Sequence, residues 1–350
     1  MKSKKIISLL LISILVLGVA LTGCSAAKPA ATTTAAATVE TTTEAVTEAP
    51  VLYPEKPVKI IVCRSAGGST DMVARTFQPY LQKYLGTNVV VENIDGAAGR
   101  IGLTAAFKAD PDGYSLVFGN FPSYVLTEHI AGGVDYKISD FVPIYNVNGG
   151  ESAAIVVPFD SPYNTIEDLV AAAKASPGMI NAALPSGLSN SSLGFGIMVG
   201  AAEIDVQRVP YDSGSKAMAA VMGKHVDFTV ASSINVYQPV ADKAVRVLAV
   251  FNPQRDPKLA DVPTFASVYG EEYAYVSYMG VLAPPNTPDE IISILEAAAA
   301  KAVADPEFIA TAEKLFQLLP QDRATFANSI KGSYSLAEKF KPLLESLLDQ

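Results

Sequence analysis

VKIIVCRSAGGSTDMVAR, residues 58–75, joins an apolar run to a helical pattern across two glycines and a pair of hydroxyl residues. Val58, Ile60, Ile61 and Val62 are β-branched and read as a strand. Met72, Val73, Phe77, Tyr80, Leu81 and Leu85 then recur every three or four residues and predict a helix over 70–85. Gly67-Gly68-Ser69-Thr70-Asp71 therefore falls at a helix N-terminus. Free backbone N–H groups and the positive end of the helix dipole there suit an anion such as a carboxylate or phosphate. Taken singly, such a turn is more often structural, because strand-to-helix connections commonly carry glycine and a Ser, Thr or Asp cap.

The chain opens on Lys2, Lys4 and Lys5, followed by an apolar stretch over 6–20 and by Leu21-Thr22-Gly23-Cys24. A charged n-region and a short h-region make residues 1–23 a secretory signal, too short for a membrane span. The last four residues resemble a bacterial lipobox, which implies a lipid on Cys24 and an extracytoplasmic protein held at the outer face of the bacterial cell membrane. The alternative is a plain signal peptide with a chance cysteine. Residues 25–50 are an Ala/Thr/Glu tract without the large apolar groups that would offset its ordering entropy, so 24–52 reads as a disordered tether.

The formal charge is −9, and removing residues 1–23 takes three lysines with it and deepens the charge to −12. Outside the signal no Lys/Arg cluster follows a phosphate backbone, so nucleic-acid binding has little support. With Cys24 lipidated, Cys63 is the remaining thiol; in an apolar strand it reads as a small buried hydrophobe rather than a nucleophile.

Beyond the tether, short apolar strands alternate with helices, which predicts α/β layers with parallel sheets. Strands are expected at 58–62, 88–91, 114–118, 153–157, 179–183, 206–209, 226–231, 245–250 and 276–283. Helices are expected at 70–85, 99–108, 165–175, 190–202, 213–222, 288–303, 306–317 and 322–348. The strand at 153–157 reads as a crossing into a second lobe and that at 276–283 as the return. Lobe 1 is then 53–152 with 273–350, and lobe 2 is 153–272. Ligands of open α/β sheets sit at the carboxyl ends of strands, so the loops after 62, 118, 184, 209 and 231 should face one cleft. Nearly all of these loops carry neutral donors. The loop at 186–192 echoes the first, with a strand before it and a helix after it, so two helix N-termini can face each other across the cleft.

The ordered motifs YPEKPVKIIV, AGGSTDMVAR, VVVENIDGAAGRIG, PDGYSLVFGN, VPYDSGSKAMAAVMGKHVDF, VRVLAVFNPQR, ADVPTF and GVLAPPNTPDEI make the chain similar to the tripartite tricarboxylate transporter receptors, or Bug proteins. The resemblance covers about residues 53–320. It implies a type II periplasmic-binding-protein fold, two α/β lobes joined by two hinge crossings, that closes on a small carboxylate. It also implies a membrane carrier of one large and one small integral subunit as partner. Carried over by position, ligand contacts fall on Gly68, Ser69 and Thr70 with Asp71 behind them, and on Gly187, Ser189, Asn190 and Ser191. Asn120, Ser123, Tyr211, Ser213, Gly214, Asp227 and Ser232 complete the implied cleft wall, with Arg64 and Ser65 before the first glycines.

Two departures from the family pattern bear on the ligand. Arg64 stands where the family usually has an aromatic residue, and it either forks onto a ligand carboxylate, favouring a di- or tricarboxylate, or turns outward to a local acid. Ser192 stands where a histidine is frequent. A catalytic role finds no constellation: Ser213-Gly214-Ser215-Lys216 spells Ser-x-x-Lys without its companion motifs, and His129 and His225 are far apart. The expectation is a monomeric binding protein, not an enzyme, without cofactor or metal. A ligand-sensing receptor for a signalling partner is the alternative.

Overall fold

The computed structural model describes residues 52–151, 153–185 and 187–345. The signal segment, Cys24, the tract at 25–50 and the end of the helix expected at 322–348 lie outside them.

The opening stretch forms β1 (Val58–Val62), with all but Lys59 buried, and α1 (Ser69–Leu85). Gly68 in extended backbone precedes the helix, which ends at left-handed Gly86, whose N–H donates to the Gln82 carbonyl. Val73, Phe77, Leu81 and Leu85 form a stripe one face wide that packs into a core with Phe118 and Phe308. Burying one such side chain contributes roughly 2 kcal/mol.

Two sheets follow. The first takes the order β11-β4-β10-β3-β1-β2, from β2 (Val89–Asn93), β3 (Ser115–Phe121), β4 (Val142–Glu151), β10 (Ser277–Ala283) and β11 (Leu318–Gln321). The second takes the order β7-β6-β8-β5-β9, from β5 (Ala153–Pro158), β6 (Asn181–Pro185), β7 (Gln207–Tyr211), β8 (Phe228–Ser232) and β9 (Val245–Val250). The sheets are mixed rather than parallel, because β10 runs antiparallel to β3 and β4, and β5 runs antiparallel to β8 and β9. These exceptions arise at the passages between sheets, where no crossover helix is available to restore the strand direction.

The helices are α2 (Arg100–Phe107), α3 (Ser123–Leu126), α4 (Ile166–Ala175), α5 (Asn190–Ala202), α6 (Gly214–Met222), α7 (Tyr237–Ala241), α8 (Ala266–Tyr269), α9 (Asp289–Val303), α10 (Pro306–Leu315) and α11 (Arg323–Glu345). The passages between the sheets lie side by side. Ser277 pairs with Glu151, the Phe251 N–H donates to the Ala153 carbonyl at 2.9 Å, and the Tyr275 N–H donates to the Phe251 carbonyl at 2.9 Å.

Helix α11 touches both halves of this arrangement. Phe326 near its start meets Phe121 edge-on, with ring centroids 5.5 Å apart. Leu343 near its end lies against α5 so closely that a Cβ on Gly200 would come within 2.5 Å of it.

Candidate functional site

The carboxyl ends of β1, β2, β3, β6, β7 and β8 converge on a cavity of about 310 Å³. Three helices begin at its wall. At α1, Gly68, Ser69 and Thr70 line it, and the first N–H groups of the helix have no intrahelical acceptor. At α5, Ser189 is the cap: its Oγ accepts from the Ser192 N–H at 3.2 Å, while Ser192 Oγ donates to the Gly187 carbonyl at 2.7 Å. Ser189, Asn190 and Ser191 line the cavity from there. The third start is α6, where Ser213 Oγ accepts from the Lys216 N–H at 3.3 Å and Ser213, Gly214 and Ser215 face the cavity. The Ser-x-x-Lys motif is thus a helix cap, and the Lys216 ammonium lies 2.5 Å from Asp212.

Arg64 leaves β1 and turns into the cavity. Its Nη2 donates to Ser123 Oγ at 2.6 Å and to the Leu188 carbonyl at 3.4 Å, and the guanidinium lies 5.4 Å from the Tyr124 ring centre. Among the described residues no carboxylate lies within 4.0 Å of it. The other charged residues of the lining are Asp95 and Asp212. Asp212 is paired with Lys216, and Asp95 accepts from Ser65 Oγ and from the Gly96 N–H.

Thr127 Oγ1, which donates to the Ser123 carbonyl at 3.1 Å, lies 3.4 Å from the Leu188 carbonyl, and Ser215 Oγ donates to the Gly67 carbonyl at 3.5 Å. Together with Arg64 these contacts tie the walls carried by the two sheets. Gly187 completes the contact: its φ of +73° is left-handed, and a Cβ on it would come within 2.8 Å of the Ala98 Cβ.

At the floor, several side chains are buried with polar atoms that meet no partner. These are Asn120 Oδ1, both Asn190 Nδ2 and Oδ1, and Ser232 Oγ. Asn120, Asn190 and Ser232 are only 5%, 7% and 8% exposed.

Thirteen of the seventeen ligand residues expected from sequence line the cavity: Arg64, Ser65, Gly68, Ser69, Thr70, Asn120, Ser123, Ser189, Asn190, Ser191, Ser213, Gly214 and Ser232. Four stand elsewhere. Asp71 sits behind the α1 turn, where burial opposes its charge but hydrogen bonds from the Gly67 N–H, Arg75 and Asn93 outweigh that and hold its carboxyl below the usual range. Gly187 acts through its backbone. Tyr211 ends β7 and packs against the core around Ala154 and Val156. Asp227 lies at the far end of β8, accepting from the Asn181 N–H at 2.8 Å in a separate pocket with Asp160, Lys224 and His225. Ser232 closes the same strand, and five residues at about 3.3 Å each separate the two ends.

Sequence reasoning missed Asp95, Gly96, Ala97 and Ala98 as lining residues, whereas Asp212 and Asn235 fall in loops expected at the cleft without being named as ligand contacts. The turn after β2 had the signal: it leaves the carboxyl end of a parallel strand, like the loops already assigned to the cleft. Cys63 is fully buried, and burial pushes its thiol up to about 12, in keeping with a packing role.

A mixed α/β structure with two sheets and a polar cavity at their carboxyl ends is a periplasmic-binding-protein fold. The family model described as the tripartite tricarboxylate transporter family receptor matches residues 73–322, and the chain belongs to that family. It is 30% identical over 266 residues to a protein encoded in the tcbD–tcbE intergenic region of Pseudomonas sp. strain P51, covering 75% of this chain and 78% of that one. Among solved structures it is similar to the periplasmic binding protein BugD, with 30% identity, a TM-score of 0.75, and 83% of this chain and 98% of that one covered. It also shares the fold of MatC from Rhodopseudomonas palustris, a structure with bound malate, at 23% identity and a TM-score of 0.76, covering 84% and 100%. The family and fold are those of binding and transport proteins.

Proposed function

We propose that this protein is an extracytoplasmic receptor that captures a small di- or tricarboxylate in the cavity and delivers it to a tripartite-type carrier with one large and one small membrane subunit. The observation that carries this reading is the union of three helix N-termini with Arg64, a guanidinium with no carboxylate neighbour among the described residues. Backbone donors and helix dipoles favour anions, and a fork-shaped cation favours a carboxylate. The malate bound to MatC supports the same class of ligand.

In this reading the two sheets belong to lobes 53–152 with 273–350 and 153–272. Closure is a population shift, with the ligand touching both walls. Cys24 bears the lipid that holds the receptor at the membrane, and the receptor acts as a monomer. No helix among the described residues is long and apolar enough to cross a membrane. Mass spectrometry of the small molecule that co-purifies with the protein tests the reading: a di- or tricarboxylate is expected, and a sugar or peptide contradicts it.

A further inference from the structure

We infer that Tyr275 is a positioning residue for the cavity: its hydroxyl fastens the start of α5, one of the cavity's three helix starts, to both passages between the sheets, so that this wall and the passages move as one body. The inference concerns how the wall is held and stands apart from the chemistry of the ligand.

Tyr275 lies in the return passage, between the turn at Glu271–Tyr273 and β10, and its side chain is buried. Its hydroxyl donates to the Asn190 backbone carbonyl at 3.0 Å and accepts from the Ala153 N–H, so it is used both as donor and as acceptor. Asn190 is the first residue of α5 and lines the cavity, while Ala153 opens β5, the outward passage. One phenol thus joins three segments that are distant in sequence. It cannot swing away, because its own N–H is held by the Phe251 carbonyl at 2.9 Å and its ring lies 5.6 Å from that of Phe251.

Helix α5 is shaped to admit this hydroxyl. Gly194 stands one turn into the helix, where glycine is a poor helix former, and its φ is not left-handed, so backbone conformation does not call for it. Space does: a Cβ there would come 3.0 Å from the Tyr275 hydroxyl, the Phe251 ring and the Val230 side chain. The free N–H groups at the start of α5 are therefore presented to the cavity by a helix whose first turn is bolted to the passages. A ligand held there is held against the two strands through which any change in the angle between the sheets must run.

Hydrogen exchange read by mass spectrometry on the full chain, with no ligand added, tests this. Tyr275→Phe keeps the ring on Phe251 and deletes the hydroxyl alone. Exchange should quicken about tenfold in peptides carrying Ala153 and equally in peptides carrying Leu193 and Gly194, the worth of one good hydrogen bond to a buried group. Helix α9, which packs in the core of the first sheet, should exchange as in the parent. Gly194→Ala, which presses on the hydroxyl without removing it, should quicken the same two segments even though alanine favours the helix. Acceleration at Ala153 alone would reduce the hydroxyl to a local partner and overturn the inference. An equal acceleration in α9, the mark of a general stabiliser, or slower exchange along α5 in Gly194→Ala overturns it as well.

Discussion

Arg64 and Leu188 face each other across the cavity, the guanidinium of the first donating to the backbone carbonyl of the second at 3.4 Å. Leu188 is buried, so this bond docks the loop before α5 on the opposite wall. One cation therefore stands where an anion would bind and where the walls meet.

Replacing Arg64 with Phe should weaken a dicarboxylate by about tenfold to a hundredfold, the worth of a charge-assisted hydrogen bond, and a monocarboxylate by less. Calorimetry on both acids checks this. Equal losses would make Arg64 a bystander to ligand charge.

Gly187→Val places a β-branched side chain at a φ of +73° and against Ala98, so the two walls should no longer meet. Ligand affinity should fall about tenfold or more. Small-angle scattering at saturating ligand should give a larger radius of gyration than the parent. An unchanged radius and affinity would show that this contact is dispensable.

Asp71 shapes the acid limb of stability. Its carboxyl is held below the ordinary value in the folded protein, so its contribution is complete above the unfolded value of about 3.9 and is lost as pH falls through the lower folded value. Urea midpoints measured from pH 5 downward should fall less steeply in Asp71→Asn than in the parent. Parallel curves would remove Asp71 from the acid response.

Gly332 lies exposed within α11, and a Cβ there meets nothing within 4 Å. Gly332→Ala should stabilise the protein by about 0.5–1 kcal/mol through helix propensity. A raised urea midpoint at constant slope is the expected result, and a lowered one contradicts it.

The eight helices and nine strands expected from the sequence are all present, because each has a clear apolar period or run. Strand β4 was not legible. Asn146 and Asn148 are fully buried within it and donate to the Leu319 and Gln317 carbonyls at 2.8 and 2.9 Å, so polar residues stand where the alternation should be apolar. Its partner β11 is four residues long and contains Pro320, too short to register. The site was legible where a helix start announced it, at Gly68, Ser189 and Ser213. It was misread at Asp227, which lies close to Ser232 in sequence but at the opposite end of the same strand, away from the cavity that Ser232 lines. The orphaned carboxamide of Asn190 is a product of burial in the folded chain, and no local pattern encodes it.

The central claim is that this cavity takes a multiply charged carboxylate, and calorimetry with mono-, di- and tricarboxylates alongside a sugar and a peptide tests it most directly. The account predicts at least one di- or tricarboxylate that binds in the micromolar range or tighter, corresponding to about −8 kcal/mol or better, with the monocarboxylates weaker. Tight binding of the sugar or the peptide, with every carboxylate silent, would contradict it.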